Sequence, residues 1–337
     1  MKSYVKKMLV VFIVALVSIS LTSFLYAQDN PKDYFAKTDA VKADPNWPER
    51  SITVMVPFSP GGANDIMAAR YNPYLKNELG VNITTEYISG AGGAVGWSTA
   101  VKKKPNGYYV PTINLPHTIL QPIARDAGYE TQQLIPVAYV NQTPNAIAVQ
   151  KDAPYDTLEQ FIQYAKEHPG AITLSGTGEY SGHHIATLEF MDKAGVEVTY
   201  VPFSGSAPQT QALLGGHVAG TFGNSNELLR VEDKIKILAI GSEERMPALP
   251  DVPTFKELGY DMTPAISRGY GVPPGTPQEY IDELERILID VASQDEELMK
   301  KVQDEAVVNP KWGHEESMRR IVEMRKMYKR LLEEVEK

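Results

Sequence analysis

The chain has 337 residues, 43% hydrophobic and 22% charged, which supplies a sizeable core and more length than one domain usually occupies, so two lobes are expected. Cysteine is absent, which excludes disulfides, zinc-thiolate sites, cysteine nucleophiles and lipidation at an N-terminal cysteine. The net charge of −9 argues against a nucleic-acid partner, because duplex binding relies on Lys and Arg to neutralise phosphates.

Lys2, Lys6 and Lys7 precede an uncharged run rich in Val, Leu, Ile and Phe. Residues 1–27 therefore read as a signal peptide and predict export to the periplasm. The alternative, an uncleaved anchor helix, is disfavoured because Ser18, Ser20, Thr22 and Ser23 dilute the run and Ala27 offers a small residue for cleavage. Residues 28–46 read as a polar leader with no core face, and order is expected from Trp47. Residues 51–58 are β-branched and apolar and end in Pro60-Gly61-Gly62. Residues 65–79 then carry Ile66, Met67, Ala69 and Leu75 at helical spacing. A second strand, glycine turn and helix follow at 81–87, 89–93 and 95–103.

Strands are predicted at 135–140 and 146–150, and a helix at 157–168 closed by Pro169-Gly170. A strand at 171–174 turns at Gly176 to Gly178 into a helix at 181–194. A strand at 198–203 runs into Ser204-Gly205-Ser206 and a helix at 209–215. Strands at 218–222 and 235–240 are followed by a proline-punctuated stretch, 247–277, and then by two long polar helices at 278–305 and 315–336. The alternation predicts an α/β fold with doubly wound sheets. Each glycine turn lies at a strand's carboxyl end and a helix's amino end, where open sheets bind ligands and unpaired N–H groups favour anions. Two such lobes facing each other across a hinge make a clamshell.

Catalytic and cofactor motifs are missing. No Gly-Lys pair exists for a phosphate loop, and no Gly-x-Ser-x-Gly elbow is present. Gly90 to Gly96 and Gly176 to Ser181 miss the third glycine of a dinucleotide fingerprint. His183 and His184 are adjacent, so on a helix they point about 100° apart and do not share a metal. They read instead as polar residues at a helix start. No metal and no cofactor are expected.

The segment Trp47-Pro48-Glu49-Arg50 followed by Pro57-Phe58-Ser59-Pro60-Gly61-Gly62-Ala63-Asn64-Asp65 resembles the opening of mature Bug-type receptors, the substrate-binding proteins of tripartite tricarboxylate transporters. Ser89 to Gly96 with Lys104-Pro105-Asn106-Gly107-Tyr108 is similar to that family's second glycine loop and its Pro-Asp-Gly-Tyr turn, with asparagine replacing aspartate. Ser175-Gly176-Thr177-Gly178 through His183, Val201 to Ser206 and Ala248 to Thr254 continue the likeness in order. The resemblance implies a periplasmic-binding-protein clamshell in which residues 47–142 and 265–337 form lobe 1 and residues 143–264 form lobe 2. It further implies a monomer that catalyses nothing and delivers its solute to integral membrane permease subunits.

By the same resemblance a ligand carboxylate sits between the first glycine loop and the facing loop of the other lobe. This nominates Ser59, Gly61, Gly62 and Asn64 on one jaw, Ser175, Thr177 and Gly178 on the other, and Ala91 and Gly92 beside them. The residues support the assignment, since glycine lets backbone N–H groups approach a carboxylate and Ser59 and Asn64 carry donors. Asp65 would repel an anion, so it reads as a helix-start or loop-ordering acid, or as one that orients water. Ser204 touches ligand or, with Gly205-Ser206, starts a helix. Asn114 and His117 follow a strand end and are candidates for the cleft wall. At Ser267-Arg268-Gly269, where many relatives carry aromatic residues, Arg268 suits a second acidic group on the ligand. Its other reading is a surface salt bridge. Two competing functions remain: a periplasmic enzyme, esterase or isomerase-like, using the inter-lobe cleft, and a receptor for an aromatic acid, amide or phosphonate, for which Tyr180 and Phe203 leave room.

Overall fold

The computed structural model describes residues 30–35 and 39–335; the signal peptide expected at 1–27 lies outside them. After a short helix α1 (Pro31–Phe35), the first half of the chain is β1 (Ile52–Val56), α2 (Ala63–Leu79), β2 (Ile83–Tyr87), α3 (Ala94–Ala100), β3 (Tyr109–Leu115) and α4 (His117–Ala124). β4 (Ile135–Gln150) leads into α5 (Leu158–Glu167), β5 (Thr173–Gly176), α6 (Gly182–Ala194), β6 (Thr199–Pro202) and α7 (Ser206–Leu214). β7 (Gly220–Asn224), α8 (Ser225–Leu229), β8 (Ile235–Ile240) and β9 (Ala265–Val272) follow, and α9 (Gln278–Arg286), α10 (Glu296–Asp304) and α11 (His314–Val335) close the chain.

The strands run in the order β2-β1-β3-β9-β4-β7-β5-β6, with β8 also paired to β4. β1 is parallel to β2 and β3, and β5 is parallel to β6 and β7. β9 is antiparallel to both β3 and β4. β4 changes partners along its length: Ile135 to Pro144 pair with β9, and Asn145 to Gln150 pair with β7 and β8.

Two bodies condense around these halves, each with helices on both faces. In β1, Ile52, Val54 and Val56 enter one apolar cluster with Met67, Tyr71 and Leu284, while Met55 enters another with Trp97 and Ile321. In the far half of β4, Ile147 and Val149 pack with Phe161 and Phe190, while Ala146 and Ala148 face Leu213 and Leu249. The period of two in a strand covered on both sides sends alternate side chains into different cores, each large one worth about 1.5–3 kcal/mol on burial. The fold is the expected two-lobed α/β clamshell.

Several local expectations differ. Residues 28–46 do carry a core face, because Tyr34 and Phe35 are buried against α11 with Met318 and Tyr328. β4 is one strand rather than two. Its polar middle, Asn141 to Asn145, breaks hydrophobic alternation but stays extended because β9 pairs with it, with Gln142 held by Ser267 and Thr143 by Asn224 and Arg268. β9 forms inside the proline-punctuated stretch. Gly269 allows it to close on β4, since a Cβ there would collide with the Ala138 carbonyl oxygen. The helix expected over 278–305 breaks after Arg286 into a π turn (Ile287–Val291) and a 3-10 turn (Ala292–Gln294). Asp295 then caps α10 by accepting from Leu298 N at 2.9 Å. Among the described residues no helix is long and apolar enough to cross a membrane.

Candidate functional site

The first glycine loop leaves β1 and starts α2 with Gly62 as its N-cap and no side-chain cap. Asp65 orders this loop. One carboxylate oxygen accepts Gly61 N–H at 2.8 Å and the other accepts Tyr87 O–H at 2.7 Å, a hydrogen bond that pushes the Tyr87 phenol up to about 12. The Gly61 N–H is therefore engaged within the loop. Asn64 turns inward and exchanges hydrogen bonds with Asn114 at 2.8 and 3.0 Å. It also donates to Thr112 Oγ1 and accepts from Arg268 Nε at 3.1 Å. Both Asn64 donors are thus spent on the protein, and its contribution is to fix the helix start against β3.

The second glycine loop, a 3-10 turn at Ala91–Gly93, holds Ala91 and Gly92 at positive φ. Gln121 donates to Gly92 O at 2.7 Å and Arg125 to Ala91 O at 2.8 Å. His117 opens α4 after Leu115-Pro116, with its ring edge-on to Phe58 and Trp97. Its Nδ1 is buried without a partner. Burial first, then electrostatic interaction with His183 and with the Arg268 cation, holds it well below the usual histidine range, so it is neutral.

From the other half, the end of β5 presents Ser175, Thr177 and Gly178. Ser175 is buried on Thr221 at 3.0 Å, while Thr177 N and Oγ1 lie 3.3 and 3.2 Å from His183 Nδ1. Gly178 meets the second glycine loop: a Cβ on it would lie 2.7 Å from Gly92 Cα. His183 Nε2 reaches Asn224 Oδ1 at 3.2 Å, and burial, reinforced by Arg268, lowers its pKa to about 3. His184 turns elsewhere, accepting from Tyr180 N and lying against Tyr200, so the adjacent pair does diverge. Among the described residues no group of three His, Cys, Asp or Glu could hold a metal.

Ser204-Gly205-Ser206 starts α7, with Gly205 as an N-cap lacking a side-chain cap. Ser204 Oγ lies 3.5 Å from Ser59 Oγ, and a Cβ on Gly62 would lie 2.9 Å from Ser206 Oγ. The starts of α2 and α7 therefore face each other, so N–H groups left unpaired within each helix converge on one corner.

Arg268 binds these parts together from β9. It is 2% exposed, and its partners are Asn64 Oδ1, Thr143 Oγ1, the Ile266 carbonyl at 3.3 Å and Asn224 Oδ1 at 2.6 Å. This excludes the surface salt bridge. Burial lowers its pKa to about 10, which leaves it cationic at neutral pH. The acid acting on it, Glu227, stands one side chain away: Asn224 Nδ2 donates to Glu227 Oε2 at 2.7 Å, and Ser206 Oγ donates to Oε1 at 2.5 Å. Sequence reasoning passed over Thr112, Thr143, Asn224 and Glu227. The available signal was a strand running directly into a helix at Asn224-Ser225-Asn226-Glu227, without a glycine to mark it.

Two α/β lobes whose uncapped helix starts meet beside a buried polar wall define a solute-binding receptor of the periplasmic-binding-protein type. The chain belongs to the tripartite tricarboxylate transporter family receptors, whose profile matches residues 68–336. It is 31% identical over 225 residues to protein BugT of Bordetella pertussis, covering 65% of this chain and 69% of that one. A solved periplasmic transporter protein superposes with a TM-score of 0.82 at 28% identity, over 85% of this chain and 97% of the other. MatC from Rhodopseudomonas palustris, solved with bound malate, superposes with a TM-score of 0.79 at 25% identity, over 84% and 99%.

Proposed function

We propose that this chain is the periplasmic receptor that captures one small organic carboxylate between its lobes and delivers it, as a monomer, to integral membrane permease subunits. The lobes are residues 47–142 with 265–337, and 143–264, hinged where β4 changes partners after Pro144 and where β9 begins. The ligand contacts are the loop residues Ser59, Gly62, Ala91, Gly92, Thr177, Gly178 and Ser204, with His117 and Arg268 lining the wall. Asp65, Asn64, Asn114 and Ser175 hold those contacts in place. The observation that carries the reading is the opposition of the α2 and α7 starts, Gly62 against Ser206 and Ser59 against Ser204, beside a buried arginine. Such a site offers main-chain donors and positive charge from both lobes at once, so an anion draws the lobes together. MatC's bound malate fits a carboxylate ligand.

The test is thermal melting of the purified protein against mono-, di- and tricarboxylates, since a ligand that binds only the folded state raises the midpoint. Gly62 lies at φ −87°, where valine is permitted, and its nearest obstacle is Ser206 of the other lobe. Gly62→Val is therefore expected to keep the unliganded melting point within a few degrees while abolishing the ligand-induced shift. Absence of any shift across the panel for the wild-type protein overturns the reading.

A further inference from the structure

An anion receptor that buries an acid in its own cleft corner presents a contradiction with a chemical resolution. Glu227 is 9% exposed and stands at the junction of the two helix starts: Ser206, the first residue of α7, donates to its Oε1, and a Cβ on Gly62 would lie 4.0 Å from that oxygen. Two carboxylates sharing such a corner repel strongly. Between the helix starts the ligand's carboxylate is therefore turned away from Glu227, onto the loop N–H groups on the side of Arg268, at the other end of the Arg268-Asn224-Glu227 chain. Arg268 has no direct carboxylate partner in that chain, and four of its five N–H groups suffice for the hydrogen bonds it makes. Each Glu227 oxygen uses one lone pair on Ser206 or Asn224 and keeps another.

We propose that Glu227 is a specificity-determining residue that selects a ligand bearing a hydrogen-bond donor, a hydroxyl or ammonium group, beside its carboxylate. The preferred class is the hydroxy or amino acid, with the acid toward Arg268 and the donor toward Glu227, and an unsubstituted acid is discriminated against. This rests on the receptor reading above. A donor-less ligand leaves a desolvated carboxylate facing hydrogen or carbon, and sites built to hydrogen-bond a group reject analogues lacking it far more strongly than apolar pockets do.

The experiment is isothermal titration of the wild-type protein with matched series: propionate, lactate and alanine; succinate, malate and aspartate; glutarate, 2-hydroxyglutarate and glutamate. In whichever series binds, the hydroxy or amino member is expected to bind at least about tenfold tighter than the unsubstituted acid. Glu227→Gln is expected to bring the members within about threefold, mainly by strengthening the unsubstituted acid as the repulsion is removed. Equal affinities within every series that binds, or an unchanged preference in Glu227→Gln, overturns the proposal while leaving the receptor reading standing. No binding in any series overturns the proposal, and absence of any melting shift across the full carboxylate panel overturns the receptor reading with it. The wild-type comparison decides the point even if the variant folds poorly.

Discussion

Gly178 and Gly92 meet across the cleft so closely that the second residue's backbone occupies the place of the first one's missing side chain, 2.7 Å from Cβ to Cα. Gly178 also holds φ at +74°. Gly178→Ala is therefore expected to cost about 1–2 kcal/mol of stability through the left-handed backbone. It should weaken ligand binding at least about tenfold, because the loops cannot close to the same separation. Calorimetric titration beside urea unfolding checks both; unchanged affinity would mean that loop contact is not part of the bound state.

Asp65 is expected to act through the loop rather than on the ligand. Asp65→Ala releases Gly61 N–H and Tyr87 O–H together and should lower stability by about 1–2 kcal/mol, with a loss of affinity. The Tyr87 bond has its own pH signature. A phenol whose folded pKa lies near 12 against 10 unfolded contributes stability in full below pH 10 and loses it as the pH climbs toward 12. The wild-type minus Tyr87→Phe difference in denaturation midpoint should shrink over that window and stay constant below it.

Acid should loosen the protein through its buried histidines. His183 is held at about 3 against an ordinary 6.5, so between these values the unfolded chain binds a proton that the folded chain excludes. Its contribution is present above pH 6.5 and is lost as the pH falls toward 3, by roughly 1.4 kcal/mol per unit. His117 acts in the same direction. Urea unfolding at pH 7.5, 6 and 4.5 should show the decline, and His183→Asn should flatten it.

Glu305 joins α2 to the segment after α8. It pairs with Arg70, whose side chain is 8% exposed, and with Arg230 at 2.9 Å. Removing it strands a nearly buried guanidinium, so Glu305→Ala is expected to cost about 3 kcal/mol. The neighbouring Lys300–Asp304 pair on α10 is exposed on both sides, and Asp304→Ala should change stability by less than about 0.5 kcal/mol. Equal losses in the two variants, measured by chemical denaturation, would mean that the Glu305 pairs are as solvent-screened as the surface one.

The amino-acid sequence by itself determined the parts whose cause is local. Glycine turns between strand and helix, at Gly61-Gly62, Gly92-Gly93 and Gly176 to Gly178, are legible because glycine tolerates the turn's backbone or a neighbour's approach far better than other residues. The alternation of strand and helix around them gave the α/β class, and Arg268 stood out only as a departure from the family pattern at Ser267-Arg268-Gly269. Tertiary structure alone decided how the polar wall is assembled. Thr143, Asn224 and Asn64 lie 125, 44 and 204 residues from Arg268, and their burial depends on hydrogen bonds that no periodicity announces. For the same reason Asn141 to Asn145 reads as a break between strands although it is the middle of β4. Glu227 carries no signal of its own in the sequence and gains a role only when folding sets Ser206 on one side of it and Asn224 on the other. A buried polar site is specified by partners brought from distant parts of the chain, and only the closed fold supplies them together.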